Sequence, residues 1–190
     1  MALQIISFAN FDVKDPEELL PEDSNCKKRK PQLYDEKVHK ASKYQEKKPI
    51  GLDLQSCNLA TINNLQRLVH SCLFYPDQLI YLDLRCNKLQ SINGIEQLQT
   101  LKILYLHGND IQSVTDLLPL KQMNLDALTV HGNPLVRQHN YKLFVINQLA
   151  SLKRLDFGGI TKRDRLEAAE AQKMNLISLV VNENVDIGRK

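Results

Sequence analysis

The sequence predicts an α/β fold: a short solenoid with a parallel, concave sheet, a helical or irregular convex side and a helical cap at the carboxy-terminal end. Residues 101–114 carry the first observation, because leucine and β-branched residues recur around Asn109 at the spacing L-x-x-L-x-L-x-x-N-x-L. The second observation is that this frame returns on both sides of the segment, and the third is a helical pattern after the last copy. One copy cannot bury its own apolar edge, so the copies must stack.

The copies align on the asparagine of the frame. Asn87, Asn109 and Asn133 occupy this position in three copies, and Cys57 occupies it in a fourth. The positions are 30, 22 and 24 residues apart along the chain (57 to 87, 87 to 109 and 109 to 133). This frame, with a period of roughly 20–29 residues, is typical of the leucine-rich repeat, which accepts asparagine or cysteine at this position. We therefore predict that the four side chains are structural rather than catalytic and that the asparagines hydrogen-bond the backbone leaving each strand.

The first connection between copies is the longest and should contain extra structure. Residues 63–73 place apolar side chains at helical spacing, from Leu65 to Leu73, and Pro76 follows. We predict a full helix at this place on the convex side.

Alternate positions of the short strands point away from the core and form the concave face. In stacking order, one column starts at Asp53, the next at Gln55 and a third at Tyr81. Apolar and aromatic side chains such as Ile103 lie at the centre of this surface, which favours a protein-binding face. The predicted contact residues are Asp53, Gln55, Tyr81, Asp83, Arg85, Ile103, Tyr105, His107, Thr129, His131, Arg154 and Asp156.

His107 and His131 occupy equivalent positions of adjacent copies, so we expect their side chains to lie about one strand spacing, roughly 4.8 Å, apart. Two imidazoles could begin a zinc or copper site, but structural zinc takes four ligands. The repeat frame does not require any cysteine or carboxylate to lie beside the two histidines. We favour the alternative, a polar pair that sets the turn after the strand. His131 could act as a general base that Asp156 orients. However, no serine or cysteine lies at a position from which it could serve as the nucleophile.

Motifs for enzymatic chemistry are missing from the sequence. No phosphate-binding loop, dinucleotide fingerprint, metal motif or paired acid and base motif is present. We therefore expect no catalytic residue, no metal and no cofactor.

Residues 1–48 show little hydrophobic periodicity, and their charge changes sign along the segment. Acidic residues dominate from Asp12 to Asp23, whereas nine basic residues stand against three acidic ones between Cys26 and Lys48. We predict a charged, largely extended arm without a core, because its few apolar residues do not offset roughly 1–2 kcal/mol of ordering entropy per residue. It is either a solvated tail or an arm that becomes ordered on an acidic partner. The predicted contacts in the second case are Lys27, Lys28, Arg29, Lys30, Tyr34 and Tyr44.

The sequence after the fourth copy predicts a cap. A helix over residues 140–149 and a last strand over residues 154–157 would cover the open apolar edge. We predict that Thr161 is the N-cap of a helix that follows it. Asp164 at the third helical position would form a weaker version of the capping box. The predicted organisation is an arm over residues 1–48, a repeat domain with its cap over 49–161, and a helix and tail over 162–190.

Composition limits the class of protein. The chain has 190 residues, of which 43% are hydrophobic and 25% charged, enough for one sizeable core. Its net charge of +3 lacks the basic excess typical of nucleic-acid and membrane-surface binders. Its 4 cysteines form no C-x-x-C pair, and no apolar run approaches the roughly 20 residues of a membrane helix. We therefore expect an intracellular, soluble protein with reduced thiols.

The cap sequence resembles that of a known group. Residues 141–165 read Y-K-L-F-V-I-N-Q-L-A-S-L-K-R-L-D-F-G-G-I-T-K-R-D-R. This is similar to the carboxy-terminal cap of intracellular leucine-rich-repeat proteins, a group that includes phosphatase-regulating and dynein-light-chain-associated members. The chain departs from the cap pattern mildly, at Lys142, Ala150, Ile160 and Asp164. With its two H-G-N sequences, it resembles a small member of this group from ciliated organisms, over residues 50–175.

This resemblance implies a non-enzymatic structural protein of the cytoskeleton, located in the axoneme of the cilium or flagellum and part of a larger assembly. Doublet-microtubule tubulin or an associated protein is the expected partner, since tubulin presents acidic surfaces to the basic arm. The alternative is a regulatory subunit or adaptor of a protein phosphatase. A third alternative, an RNA-splicing partner, is weakened by the mild charge and the lack of aromatic stacking motifs. We expect no small-molecule substrate, nucleic acid or membrane among its partners.

Overall fold

The computed structural model describes residues 3–20, 23–24, 50–73 and 76–174. Within these residues, seven strands form one sheet in chain order. They are β1 (Gln4–Ser7), β2 (Ile50–Asp53), β3 (Leu79–Asp83), β4 (Ile103–Tyr105), β5 (Ala127–Thr129), β6 (Arg154–Leu155) and β7 (Gly158–Gly159). Strands β1 to β6 pair in parallel, and β7 pairs antiparallel with β6. The α/β solenoid predicted from the sequence is confirmed.

Two columns of inward-pointing side chains cross the sheet. The first, in register from β1 to β6, contains Ile6, Leu52, Leu82, Leu104, Leu128 and Leu155. The second, two residues further along each copy, contains Phe8, Leu54, Leu84, Leu106 and Val130. All of these residues are 7% exposed or less. Stacking the copies therefore removes from water the edge that a single copy leaves open.

The asparagines of the frame hydrogen-bond the backbone that leaves each strand, as predicted, and they also connect each copy to the one before it. The Asn109 Oδ1 accepts from the backbone N–H of Leu89 at 3.1 Å, and its Nδ2 donates to the carbonyls of Leu84 and Leu106, both at 2.9 Å. The asparagines of the two flanking copies make equivalent bonds. Each buried amide thus satisfies backbone groups whose loss of a partner would cost about 1–3 kcal/mol apiece.

Cys57 takes over this role at the amino-terminal end of the solenoid. Its Sγ donates to the carbonyl oxygen of Phe8 at 3.0 Å. Burial raises the pKa of the Cys57 thiol, so the sulfur keeps the proton that it donates. The structural role predicted for Cys57 is confirmed.

In the described part of the chain, the convex side is built from one α-helix and several 3-10 helices. The connection between β2 and β3 contains the predicted helix, α1 (Leu65–Cys72), which buries its apolar face. The later connections hold 3-10 helices at Ile95–Gln97, Val114–Gln122 and Pro134–Arg137. A helix of 8 residues therefore accounts for the greater length of the first connection.

The prediction of an arm without a core is wrong for residues 3–20. These residues form a further half-repeat, in which β1 extends the sheet beside β2 and a 3-10 helix follows at Pro16–Glu18. The side chains of Ile6, Phe8 and Leu19 belong to the core. The physical reason is that the first full copy has an apolar edge of its own, and the half-repeat covers it.

Two helices form the carboxy-terminal cap, α2 (Tyr141–Gln148) and α3 (Lys162–Lys173). Thr161 is the N-cap of α3, and the predicted capping box with Asp164 is confirmed in both directions. From the first turn of α3, the Arg165 Nη1 donates to the carbonyls of Ile146 at 2.6 Å and Leu149 at 3.1 Å. The second cap helix therefore satisfies carbonyls that the end of the first leaves open.

Strand β6 is shorter than the strand predicted over residues 154–157. It ends at Leu155, because Asp156 and Phe157 adopt left-handed φ angles of 48° and 67°. These two residues form the loop of a hairpin in which Leu155 pairs with Gly158. The chain therefore reverses at the point where a parallel strand was expected to continue.

Some predictions concern residues outside the described ranges. The basic contacts from Lys27 to Tyr44 and the tail over residues 176–190 belong to this set.

Among the helices that the structure describes, none is both long enough and apolar enough to cross a bilayer.

Candidate partner-binding face

The strands place the predicted contact residues in three columns on the concave face. The first column, in register from β3 to β6, is Tyr81, Ile103, Ala127 and Arg154. The second, in register from β2 to β5, is Asp53, Asp83, Tyr105 and Thr129. The third, just beyond the strands, is Gln55, Arg85, His107 and His131. The columns lie where the alternation of the sequence puts them, and their contact with a partner stays a prediction.

Two of the predicted contact residues are buried. Asp83 is 1% exposed and Thr129 is 2% exposed. Asp83 lies under Tyr81 and Arg85, since the Tyr81 hydroxyl donates to its Oδ2 at 3.0 Å and the Arg85 Nε is 3.2 Å from the same oxygen. Thr129 lies under His107, with 2.8 Å between its Oγ1 and the Nδ1 of the ring. The prediction that Asp83 and Thr129 contact a partner is therefore wrong, and these residues position the side chains above them.

Tyr81 lies across the amino-terminal half of the face. A Cβ atom at Gly51 would be only 2.8 Å from the Tyr81 Cδ1, so the ring occupies space that a larger residue would take. Burial first, and the Asp83 carboxylate second, raise the pKa of the Tyr81 phenol. The ring is thus fixed at both ends, by Gly51 beneath it and by the carboxylate at its hydroxyl.

His107 and His131 lie as the sequence predicted. Their ring centroids are 4.5 Å apart and their planes are 12° from parallel. The His107 Nδ1 pairs with Thr129, and the His131 Nδ1 is 3.3 Å from the Asp156 Oδ1. Burial, and then the charge that His131 would carry, lower the pKa of His107. Both Nδ1 atoms are occupied, and no described residue hydrogen-bonds the Nε2 of either ring.

Five rings form one aromatic cluster on the concave face: Tyr81, Tyr105, His107, His131 and Phe157. The Phe157 centroid is 5.9 Å from that of Tyr105, 6.0 Å from His107 and 5.6 Å from His131. Tyr105 in turn meets Tyr81 edge to face at 5.4 Å. Phe157 is nevertheless 65% exposed. Most of its apolar surface is therefore open to a partner.

Sequence reasoning missed Phe157 as a site residue. In a continuing strand it would extend the inward column, whereas the left-handed turn directs its ring to the concave face. A hairpin loop with two positive φ angles ordinarily takes Asn-Gly, and a bulky residue there costs about 1–3 kcal/mol. The Gly158-Gly159 pair that follows was the available signal for a turn.

Asp156 closes the carboxy-terminal end of the face. Its Oδ1 accepts from the backbone N–H groups of Val130 at 2.7 Å and His131 at 2.9 Å, and its Oδ2 accepts from the Tyr141 hydroxyl at 3.2 Å. Burial first, and then Asp156, raise the pKa of Tyr141 to about 12. The Asp156 carboxylate thus accepts hydrogen bonds from backbone N–H groups that would otherwise bond to a further full copy.

The concave face has the features of a binding surface. Among the described residues, no group of three or more His, Cys, Asp or Glu side chains could hold a metal ion. What the face does present is an exposed ring, apolar surface at Ile103 and polar nitrogens at Arg85, His107 and His131. This combination of aromatic anchors and polar neighbours is typical of protein interfaces.

Comparison with known proteins places the chain among relatives of the same repeat class. Residues 63–183 match a family model described as Leucine-rich repeat. Leucine-rich repeat-containing protein 51 of Bos taurus is 34% identical over 120 residues, which cover 62% of this chain and 62% of that protein. This relative is the small protein that the cap and the H-G-N sequences indicated, so that resemblance is confirmed. U2 small nuclear ribonucleoprotein A' of Yarrowia lipolytica is 30% identical over 163 residues, 72% of this chain and 67% of that protein.

A solved structure shares the architecture. The crystal structure of the Drosophila melanogaster SNF/U2A' complex contains a chain with a TM-score of 0.60 to this one at 24% identity. The match covers 82% of this chain and 83% of that chain. At this identity the likeness shows the fold alone.

Proposed function

The chain belongs to the leucine-rich repeat family, and from that premise we propose that it is a non-enzymatic structural protein of the ciliary or flagellar axoneme, which binds a protein partner through its concave face. The proposed partner is doublet-microtubule tubulin or a protein associated with it, within a larger assembly. Similarity to leucine-rich repeat-containing protein 51 and the capped repeat group supports the family context of this proposal. The chain matches 62% of the length of that relative, so partner and location belong to the proposal.

The exposed ring of Phe157 is the observation that carries the binding function. The fold holds this bulky residue at a left-handed φ of 67°, at a cost of about 1–3 kcal/mol, while leaving 65% of it exposed. Its contacts with Tyr105, His107 and His131, each worth about 0.5–1.5 kcal/mol beyond the area they bury, offset this cost. An unfavourable conformation that displays an aromatic ring on a concave surface suits an interface anchor, the kind of residue that dominates binding energy.

The basic stretch between Cys26 and Lys48 contributes a second element to the proposal. Its nine basic and three acidic residues give it a local positive charge that the whole chain does not have. A positive segment speeds the encounter with an acidic surface, such as that of tubulin, by electrostatic steering.

Fractionation of ciliated cells tests the proposal. The full chain, tagged and expressed in such cells, is expected to stay with the axonemes when these are pelleted and washed with salt. Its recovery in the soluble fraction would overturn the axonemal assignment, because a structural component remains with the assembly that it helps to build.

A protein phosphatase is the alternative partner, and the cap resemblance to phosphatase-regulating proteins is the observation that favours it. Affinity purification of the full chain should then recover a phosphatase catalytic subunit, and Tyr105→Ala or Ile103→Asp should abolish its recovery. The same purification tests the third alternative, because recovery of splicing proteins would favour an RNA-splicing partner.

A further inference from the structure

The carboxylates of the concave face are already hydrogen-bonded. Asp83 accepts from the Tyr81 hydroxyl and lies 3.2 Å from the Arg85 Nε. Asp53 and Asp156 likewise accept hydrogen bonds from described side chains and backbone N–H groups. The three carboxylates therefore serve to hold the face together.

Side-chain nitrogens on the same face are left without a partner among the described residues, and the Nε2 of each imidazole donates whenever its ring is protonated. His107 and His131 hydrogen-bond described residues through Nδ1 alone. The contacts of Arg85 with described side chains all involve its Nε and leave the two terminal nitrogens of its guanidinium. These three residues follow one another in the third column, so with protonated imidazoles their free nitrogens form a row of donors.

Apolar surface borders this row of donors. The Phe157 ring contacts both imidazoles, and Tyr105 lies beside His107 with 6.0 Å between the ring centroids. Ile103 is in register with Tyr81 in the neighbouring column. A ligand that fits must combine an acceptor with apolar groups, which a protein segment does and an isolated anion does not.

We infer that the partner segment carries an Asp or Glu side chain flanked by apolar residues, that its carboxylate binds the imidazoles of His107 and His131, and that binding takes up protons. The inference rests on the proposed function, since it assumes that the concave face binds a protein.

Proton uptake follows from the stacked geometry. Two imidazolium rings 4.5 Å apart would repel each other, so the free face disfavours a charge on both rings at once. Burial, His131 and Arg85 lower the pKa of His107, while Asp83 and Asp156 act in the opposite direction. A bound carboxylate adds a negative charge that favours imidazolium. Affinity should therefore rise as the pH falls from 7.5 to 6.0, a range in which Asp and Glu side chains stay ionised.

Selection from a phage-displayed library of random peptides tests the partner chemistry directly. The full chain is the immobilised target at pH 6.0, and phage that also bind a Phe157→Ala chain are discarded. The recovered peptides should be enriched in Asp or Glu next to aromatic or aliphatic residues. Recovery of peptides without acidic enrichment, or of no peptide specific for the intact face, overturns the inference.

Calorimetric titration of the strongest peptide tests the proton linkage. The affinity for the wild-type chain should increase on going from pH 7.5 to 6.0, by at most about tenfold per pH unit for each proton taken up. The His107→Gln, His131→Gln double variant should lose this pH dependence, whereas His70→Gln, at an exposed position of α1, should keep it. An affinity of the wild-type chain that does not change with pH overturns the inference without any variant.

The two proposals fail separately. If acidic peptides bind the face but the chain does not pellet with axonemes, the partner chemistry stands and the axonemal assignment falls. If the chain pellets with axonemes but the selected peptides are not acidic, the assignment stands and the partner chemistry falls.

Discussion

The Cys57 Sγ lies 3.0 Å from the carbonyl oxygen of Phe8 and joins the amino-terminal half-repeat to the first full copy. In later copies an asparagine amide bonds the carbonyl of the preceding copy. The Cys57 thiol likewise donates a hydrogen bond to a carbonyl of the preceding half-repeat, since burial keeps the thiol protonated. The half-repeat is therefore connected to the solenoid by the same kind of bond as the full copies.

Removal of the Phe8 ring should destabilise the whole solenoid. Phe8 is 0% exposed, and Phe8→Ala should lower the free energy of unfolding by about 3–5 kcal/mol. Urea unfolding of the full chain, followed by far-ultraviolet circular dichroism, measures this change. Phe11→Ala is the matched control, because its ring is 37% exposed and its loss should cost much less. Equal, small losses for the two variants would show that the half-repeat adds no stability.

The frame asparagine of the central copy should be as important as a core residue. Asn109→Ala leaves the buried Leu89 N–H without a partner, at about 1–3 kcal/mol, whereas the carbonyls of Leu84 and Leu106 keep the Nδ2 donors of Asn87 and Asn133. We expect a loss of about 1–3 kcal/mol in the same urea experiment. Asn93→Ala, at an exposed position, serves as the control and should change stability by less than about 0.5 kcal/mol. A loss at Asn109 no larger than the control loss would contradict the structural role.

The strained turn gives a test that separates binding from stability. Phe157→Asn keeps a residue that tolerates positive φ but removes the exposed ring. Its thermal stability should stay within about 1 kcal/mol of wild type, because relief of strain offsets the lost ring contacts. Recovery of the protein partner should fall at least about tenfold, as expected for a loss of about 1.4 kcal/mol or more at an interface anchor. Unchanged recovery of the protein partner would show that Phe157 does not lie in the interface.

Tyr141 should make stability fall at high pH. Its pKa is raised to about 12 in the folded protein, by burial and by Asp156, whereas an unfolded tyrosine titrates near 10. The unfolded state therefore releases this proton first, so the contribution is complete below about pH 10 and is lost as the pH rises toward 12. The wild-type chain should lose more stability over this range than Tyr141→Phe, as measured by urea unfolding at each pH. Parallel curves for the two proteins would contradict the raised pKa.

The repeat frame was predictable because it depends on local spacing. A leucine every second residue, with asparagine three positions after the last one, fixes the strands, the stacking and the columns. The half-repeat was harder to find, since Ile6-x-Phe8-x-x-Phe11-x-Val13 has the spacing of the frame but places phenylalanine where asparagine is expected. An acidic stretch also follows it directly, and this composition favoured disorder.

The accessibility of the face could not be predicted from alternation. Alternation places Asp83 and Thr129 on the concave side, but their burial depends on how far the neighbouring rings of Tyr81 and His107 fold over them. Phe157 was missed for a related reason, because a bulky residue rarely adopts a positive φ. Both errors concern side chains placed by tertiary contacts.

Photocross-linking from position 157 is the measurement that tests the central claim most directly. Phe157 is replaced by a photoreactive phenylalanine analogue in the full chain expressed in ciliated cells, and Leu118, 44% exposed in the 3-10 helix Val114–Gln122, is replaced in a control. The proposed function predicts an adduct with tubulin or a tubulin-associated protein from position 157 and not from position 118. No adduct from position 157, or the same adduct from both positions, would contradict a partner-binding role for the concave face.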